Sequence, residues 1–215
     1  MNEFIFFTQI LVIVIFALGA LRLGKGTLIA WVAIQALIAN LFVLKQMTLF
    51  GFNVTSSDTF AIGSLLGLNF LQEHYSRKDA KKATWICFFF MFFFAIVSQL
   101  HLLYQPSSFD TTHPAYAQLL SPAPRLLFAS MGVFFIVQQI DIRLFAFLKD
   151  SFPAVGFPIR ASISLIVSQF LDTFLFSFAG LYGMVISVVD VIVISFVVKL
   201  IVIFCITPLL RLAKA

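Results

Sequence analysis

Long apolar runs separated by short polar or Pro/Gly-rich stretches recur along the whole chain. A bilayer crossing needs about 20 mainly apolar residues. The runs that qualify are Phe4–Leu21, Leu28–Leu49, Thr59–Tyr75, Thr84–Tyr104, Leu126–Leu148, Ala161–Ala179 and Met184–Ile206. They are divided by Arg22–Gly26, Gly51–Asp58, Ser76–Lys82, Gln105–Pro124, Asp150–Pro158 and Gly180–Gly183. Lipid offers no partner to free backbone groups, and these runs are too long for barrel strands, so each is expected to be an α-helix. The expected fold is an all-α polytopic bundle of about seven transmembrane helices in one domain, 1–215. The third run is short and is interrupted by Asn69 and Glu73.

Composition supports this reading. Of 215 residues, 61% are hydrophobic and 11% charged, with a mean hydropathy of +1.07. Soluble domains average about 25% charged residues, so the solvent for most of this surface is lipid. The net charge of +5 does not point to nucleic acid, because the basic residues are scattered between apolar blocks. Their positions alternate instead. Arg22 and Lys25 follow the first run, and Arg77, Lys78, Lys81 and Lys82 follow the third. Arg143, Lys149 and Arg160 surround the fifth connection, and Arg211 and Lys214 close the chain, while Lys45 and Arg125 are the exceptions on the other side. By the positive-inside rule this predicts an outside N-terminus and a cytoplasmic C-terminus, with Trp31 and Trp85 near the cytoplasmic interface. The N-terminus opens with Glu3 and lacks a basic n-region, so the first run reads as a retained helix.

Polar residues inside the runs are the candidate chemistry. An ionisable residue at the bilayer centre costs about 2.5–3.5 kcal/mol on insertion scales, which marks it for function. At about 1.5 Å rise per residue, Asn40, Asn69, Gln138, Gln169 and Asp172 fall near the midplane. Asp141 and Lys199 reach matching depths, so either an ion pair between them or a water-lined cavity around Lys199 is expected. Ser168, Gln169 and Asp172 cluster within four residues, and Gln138 shares a helix face with Asp141. Asp190 and Lys199, nine residues apart, point to opposite sides of the last helix. Carboxylates accept, amides both donate and accept, and Lys donates. That mix suits a planar nitrogen-rich heterocycle or a cationic amine. Gly63-x-x-x-Gly67 would let another helix approach closely.

Enzymatic motifs are absent from the sequence. His74, His101 and His113 are dispersed, there is no H-E-x-x-H, and no Ser has a base at helical spacing. Cys87 and Cys205 lie in apolar runs without C-x-x-C spacing, so neither a metal site nor a cofactor is expected. There is no G-x-x-x-x-G-K-S/T loop, so the chain does not hydrolyse ATP itself.

Four stretches resemble a known family, the queuosine-precursor transporters, also called putative vitamin uptake transporters. They are RLGKGTLIAWVAIQALIANLFVLKQMTLFG (22–51), NFLQEHYSRKDAKKATW (69–85), the fifth run with Arg125 and QQIDIRLFAFLK (138–149), and RASISLIVSQFLDT (160–173). Lys199 with Thr207-Pro208 also fits. Glu73, Arg125, Gln138, Asp141, Ser168, Gln169, Asp172 and Lys199 match the family's pattern. Asn69 stands where the family usually has an acid, Ser76 where it has Gly, and Ile206 where many members have Asp. The resemblance implies a six-helix core plus an N-terminal helix, in the cytoplasmic (inner) membrane. It further implies import of queuine or related 7-deazaguanine bases used to modify tRNA. The substrate-binding candidates are these eight matching residues with Asn40 and Asn69. The partners expected are a deazapurine base and the lipid bilayer, without nucleic acid, and a homodimer is compatible with the sequence. The alternative reading is a substrate-binding membrane subunit for a vitamin-like compound that depends on a separate energising ATPase.

Overall fold

A computed structural model of the chain describes residues 1–43, 45–55, 57–121, 124–182 and 188–210. Its helices are α1 (Asn2–Leu23), α2 (Lys25–Phe42), α3 (Asp58–His74), α4 (Arg77–Leu102), α5 (His113–Leu120), α6 (Pro124–Ser151), α7 (Phe157–Phe176) and α8 (Val188–Leu209). A π-helical turn, Ser177–Leu181, extends α7. Among the described residues, six helices are long and apolar enough to cross a membrane: α1, α2, α4, α6, α7 and α8. Large side chains such as Phe4, Phe16, Phe89, Phe93 and Phe204 stay exposed on them, as a lipid-facing surface requires.

The 17-residue α3 is the exception, and its position explains its sequence. It contacts α1, α2, α4, α6, α7 and α8, and 13 of its residues are buried. Helices rather than lipid surround it, so it can carry Ser64, Asn69 and Gln72. The two glycines of the Gly63-x-x-x-Gly67 spacing make this approach possible. A Cβ at Gly67 would lie 2.9 Å from both Trp31 Cδ1 and Val32 Cγ2, and one at Gly63 would lie 2.9 Å from Gln35 Oε1. Trp31 Nε1 donates to the Gly63 carbonyl at 3.1 Å, and Ser64 Oγ donates to the Val32 carbonyl at 3.0 Å. Trp31 is therefore a packing residue of the α2–α3 contact. Trp85, in contrast, is 60% exposed.

Two connections differ from the sequence expectation. The second run was expected to stay helical to Leu49, but α2 ends at Phe42. Strands β1 (Gln46–Leu49) and β2 (Phe52–Thr55) then form an antiparallel hairpin, with Gln46 opposite Thr55 and Leu49 opposite Phe52. Phe50 and Gly51 at its tip have φ of 51° and 84°, the paired positive values of a two-residue hairpin turn. Asn2 Nδ2 donates to the Thr48 carbonyl at 3.0 Å, which places the hairpin over the start of α1. The 105–124 connection contains α5. Its start is ordered by Asp110, whose Oδ1 accepts from Thr112 N at 2.7 Å, Thr112 Oγ1 at 2.8 Å and His113 N at 3.2 Å. These bonds, the one from the Thr112 backbone first, hold the Asp110 carboxyl below the usual carboxylate range.

The bundle has two distinct ends. At one end the chain turns between α1 and α2 at Gly24, between α3 and α4, and between α6 and α7. Ser76 Oγ caps α4 by accepting from Asp79 N at 3.1 Å, and Lys25 pairs with Asp79 at 3.1 Å. At the other end lie the C-termini of α2 and α7, the N-termini of α3, α6 and α8, and the hairpin.

Candidate functional site

The hairpin end holds a cavity of about 120 Å³. Asn40 comes to it from the last turn of α2, Asp58 from the first turn of α3, and Ser130 from the second turn of α6. Asp172 reaches it from α7 and Lys199 from α8, while Phe134 and Phe176 give it apolar walls. Helix ends and helix interiors thus supply different walls, because α3 starts deep in the bundle, at the level where α8 carries Lys199.

Ionic contacts dominate its floor. Lys199 Nζ donates to Asp172 Oδ2 at 2.7 Å and stands 3.8 Å from Asp58 Oδ1. The Lys199 side chain is 5% exposed, Asp58 11% and Asp172 19%. The ammonium and Asp58 are buried, and Asp172 is the most exposed of the three. Asn40 Oδ1 accepts from Ser130 Oγ at 2.8 Å, and its Nδ2 donates to the Ala36 carbonyl at 2.9 Å. Asp58 Oδ2 and Thr173 Oγ1 are buried without a hydrogen-bond partner.

A second polar cluster lies further along α7. Ser164, Ser168 and Asp172 are spaced i, i+4 and i+8, so they form one stripe about 12 Å long. Ser164 Oγ and Ser168 Oγ donate to Asp141 Oδ1 at 2.6 and 2.9 Å. On α6, one turn from Asp141, Gln138 Nε2 donates to Ser64 Oγ at 3.4 Å. Asn69 on α3 and Gln169 on α7 are fully buried, with both Asn69 side-chain polar atoms and Gln169 Oε1 unpartnered.

These positions sort the sequence candidates. Asn40, Asp172 and Lys199 meet at the cavity. Gln138, Asp141 and Ser168 meet in the second cluster. The expected Asp141–Lys199 pair does not form: Asp141 is held by two serines, and Lys199 pairs with Asp172. The matching depth expected of the two is not seen either: Lys199 meets α7 at Asp172, whereas Asp141 meets it one to two turns away, at Ser164 and Ser168. Glu73 is elsewhere again. Its Oε1 accepts from Arg160 Nη2 at 2.7 Å, and Oε2 lies 3.5 Å from Lys149 Nζ, at the end opposite the cavity. The Arg125 side chain lies outside the described residues. Asp58 was missed, since it reads as the last residue of a polar connection. Its one signal was an acid placed immediately before an apolar helix. Among the described residues, no group of His, Cys, Asp and Glu could hold a metal ion.

A chain of apolar helices around a cavity floored by an ion pair is suited to moving a polar solute through lipid. The model of the family described as "Putative vitamin uptake transporter" matches residues 58–213. The chain belongs to this family. It is also 30% identical over 185 residues to a protein of Bacillus subtilis (strain 168) called a "Probable queuosine precursor transporter", covering 84% of this chain and 81% of that one. No solved structure matches. The protein is a multi-pass membrane transporter, as its relatives are, and not an enzyme. In the transporter the matched region begins at Asp58. It therefore takes in the three helices that carry the ionic floor, α3, α7 and α8, and the second cluster whole, but not α1 and α2.

Proposed function

We propose that the transporter imports queuosine precursors, 7-deazaguanine bases such as queuine, for use in tRNA modification. The observation that carries this reading is the Lys199–Asp172 pair at the floor of the cavity. It sets a donor and an acceptor 2.7 Å apart. A guanine-type ring edge carries a carbonyl acceptor beside a ring N–H and an exocyclic amine, both donors. Asp172 retains Oδ1 for the ring N–H and amine, and the Lys199 ammonium has hydrogens left for the carbonyl. Phe134 and Phe176 offer apolar surface to the ring faces. Gln169 does not line the cavity, so the carbonyl falls to Lys199. Gln138, Asp141, Ser168, Asn69 and Gln169 would then line the onward route.

The single domain 1–215 would sit in the cytoplasmic membrane with its N-terminus outside and seven crossings, α3 being the short central one. In that orientation the cavity opens outward, and the end carrying Arg22, Lys25, Arg77 and Lys149 faces the cytoplasm. A homodimer is compatible with this arrangement. Uptake of labelled queuine into liposomes holding only the purified protein tests the reading. Saturable uptake, competed by unlabelled deazaguanine bases and unaffected by sugars, is expected. Uptake that requires an added ATPase would overturn the stand-alone reading.

A further inference from the structure

Two carboxylates and one ammonium line the cavity. Lys199 is committed to Asp172 by a 2.7 Å hydrogen bond, whereas its 3.8 Å separation from Asp58 Oδ1 is too long for one. Among the described residues of the lining, Asp58 is therefore a second negative charge beside a single ammonium. Its Oδ2 is buried and without a hydrogen-bond partner, although the residue is 8% exposed and borders the cavity. Lys199 is thus shared unequally between two carboxylates, and a second cation would relieve Asp58, because an incompletely compensated charge away from water is costly.

We propose that Asp58 is the specificity residue for a positively charged arm on the transported base. This deepens the reading given above and rests on it. The ring edge would engage Asp172 and Lys199, and a protonated amine carried by the ring would donate to Asp58 Oδ2. A single positive charge on the ligand brings the cavity to neutrality. A base with a neutral arm of similar size would leave Asp58 unpaired and would bind more weakly.

The test compares 7-aminomethyl-7-deazaguanine, cationic at neutral pH, with 7-cyano-7-deazaguanine, which is neutral and similar in size. Each competes with labelled queuine for the purified transporter in detergent. The parent should bind the amine-armed base at least about tenfold more tightly, since a site built to hydrogen-bond a group discriminates against its absence. Asp58→Asn should lose most of that preference by weakening the amine-armed base alone, and Asp58→Glu should retain it. Equal binding of the two bases by the parent would overturn the proposal whether or not a variant folds, and would point to a proton or alkali cation beside Asp58 instead. Equal weakening of both bases by Asp58→Asn would overturn it too, by showing that Asp58 acts only through Lys199. If the parent binds neither base nor queuine, the substrate reading fails and this proposal fails with it. If it binds all of them without preference, only the role of Asp58 fails.

Discussion

The Lys199 ammonium donates to Asp172 Oδ2 at 2.7 Å, tying α8 to α7 inside an apolar bundle. Asp58 at 3.8 Å adds the start of α3 to the same junction. Removing one partner of a buried pair costs about 3–5 kcal/mol, because the charge left behind has nothing to balance it. Lys199→Met leaves two carboxylates facing each other and should lower the detergent unfolding temperature markedly. Adding Asp172→Asn should recover part of the loss, while adding Asp141→Asn should not. Equal rescue by the two second mutations would show that Lys199 is not specific for Asp172.

The opposite end of the bundle is held by a different set of charges. Arg160 Nη2 donates to Glu73 Oε1 at 2.7 Å, and Lys149 Nζ donates to the carbonyls of Gln72 and Glu73 at 2.9 and 3.0 Å. One glutamate and the C-terminus of α3 thus bind both α6 and α7, beside the stacked rings of Phe70 and Phe157. Hydrogen bonds to charged groups contribute about 1.5–3 kcal/mol. Glu73→Gln should keep one acceptor for Arg160 but lose the ionic part, and Glu73→Ala should lose both. Limited proteolysis at the 151–156 connection should accelerate in the order parent, Gln, Ala. Identical rates in all three would remove Glu73 from the clasp.

Close approach of α3 to α2 depends on two hydrogens. A Cβ at Gly67 would meet Trp31 and Val32 at 2.9 Å, and Trp31 is already fixed by its bond to the Gly63 carbonyl. Overpacking of this kind typically costs about 1–3 kcal/mol. Gly67→Ala should therefore destabilise, whereas Gly132→Ala, with open space around it, should not. Trp31→Phe combined with Gly67→Ala should restore some stability by freeing room. A thermal melt of the three variants beside the parent decides the point.

Much of this architecture was legible because hydropathy reports burial in lipid, and six of the seven runs became long apolar helices. The seventh, α3, was found despite its polar residues, though its central place could not be read from a pattern that records only how apolar a run is. The hairpin was hidden for a related reason. Met47 and Leu49 keep the hydropathy high, so Leu28–Leu49 looks continuous. The alternation of Gln46, Met47, Thr48 and Leu49 and the glycine at 51 were the signs of strands. At the site, the residue types were legible and the partnerships were not. Asp141, Asp172 and Lys199 all stood out as charges in lipid, but choosing between the two carboxylates requires knowing which helix face meets which.

Orientation can be tested on the two connections that differ most in charge. Ser107, in the exposed 105–112 segment, should face outside, and Lys78, exposed at the start of α4, should face the cytoplasm. Lys78 is a better probe than Ser76, whose hydroxyl caps α4. Cys87 is buried and Cys205 partly so, and both are replaced by Ala in the test background. An impermeant thiol reagent applied to whole cells should label Ser107→Cys and spare Lys78→Cys until the cells are opened. The opposite pattern would invert the orientation and make the cavity cytoplasmic.

Asp172 carries the most decisive prediction, because structural and binding roles give different results there. Its Oδ2 is engaged by Lys199 and its side chain is the most exposed of the three ionic groups on the cavity floor. Replacing it with Asn keeps one carbonyl oxygen to accept from Lys199 but introduces an NH₂ where the base would donate. Two donors then face each other, and the charge assistance is lost. At about 1.5–3 kcal/mol for a hydrogen bond to a charged group, queuine affinity should fall by roughly one to two orders of magnitude. Asp58 still balances Lys199 in this variant, so Asp172→Asn should remain folded and monodisperse. Asp172→Glu should bind better than Asp172→Asn, since it restores the acceptor at a displaced position. Isothermal titration of queuine into the three proteins, alongside size-exclusion profiles, separates the outcomes. Folded Asp172→Asn that binds as well as the parent would remove the ring-edge contact from the site. Loss of folded protein in Asp172→Asn but not in Asp172→Glu would make the carboxylate a fastener of α7 to α8 instead.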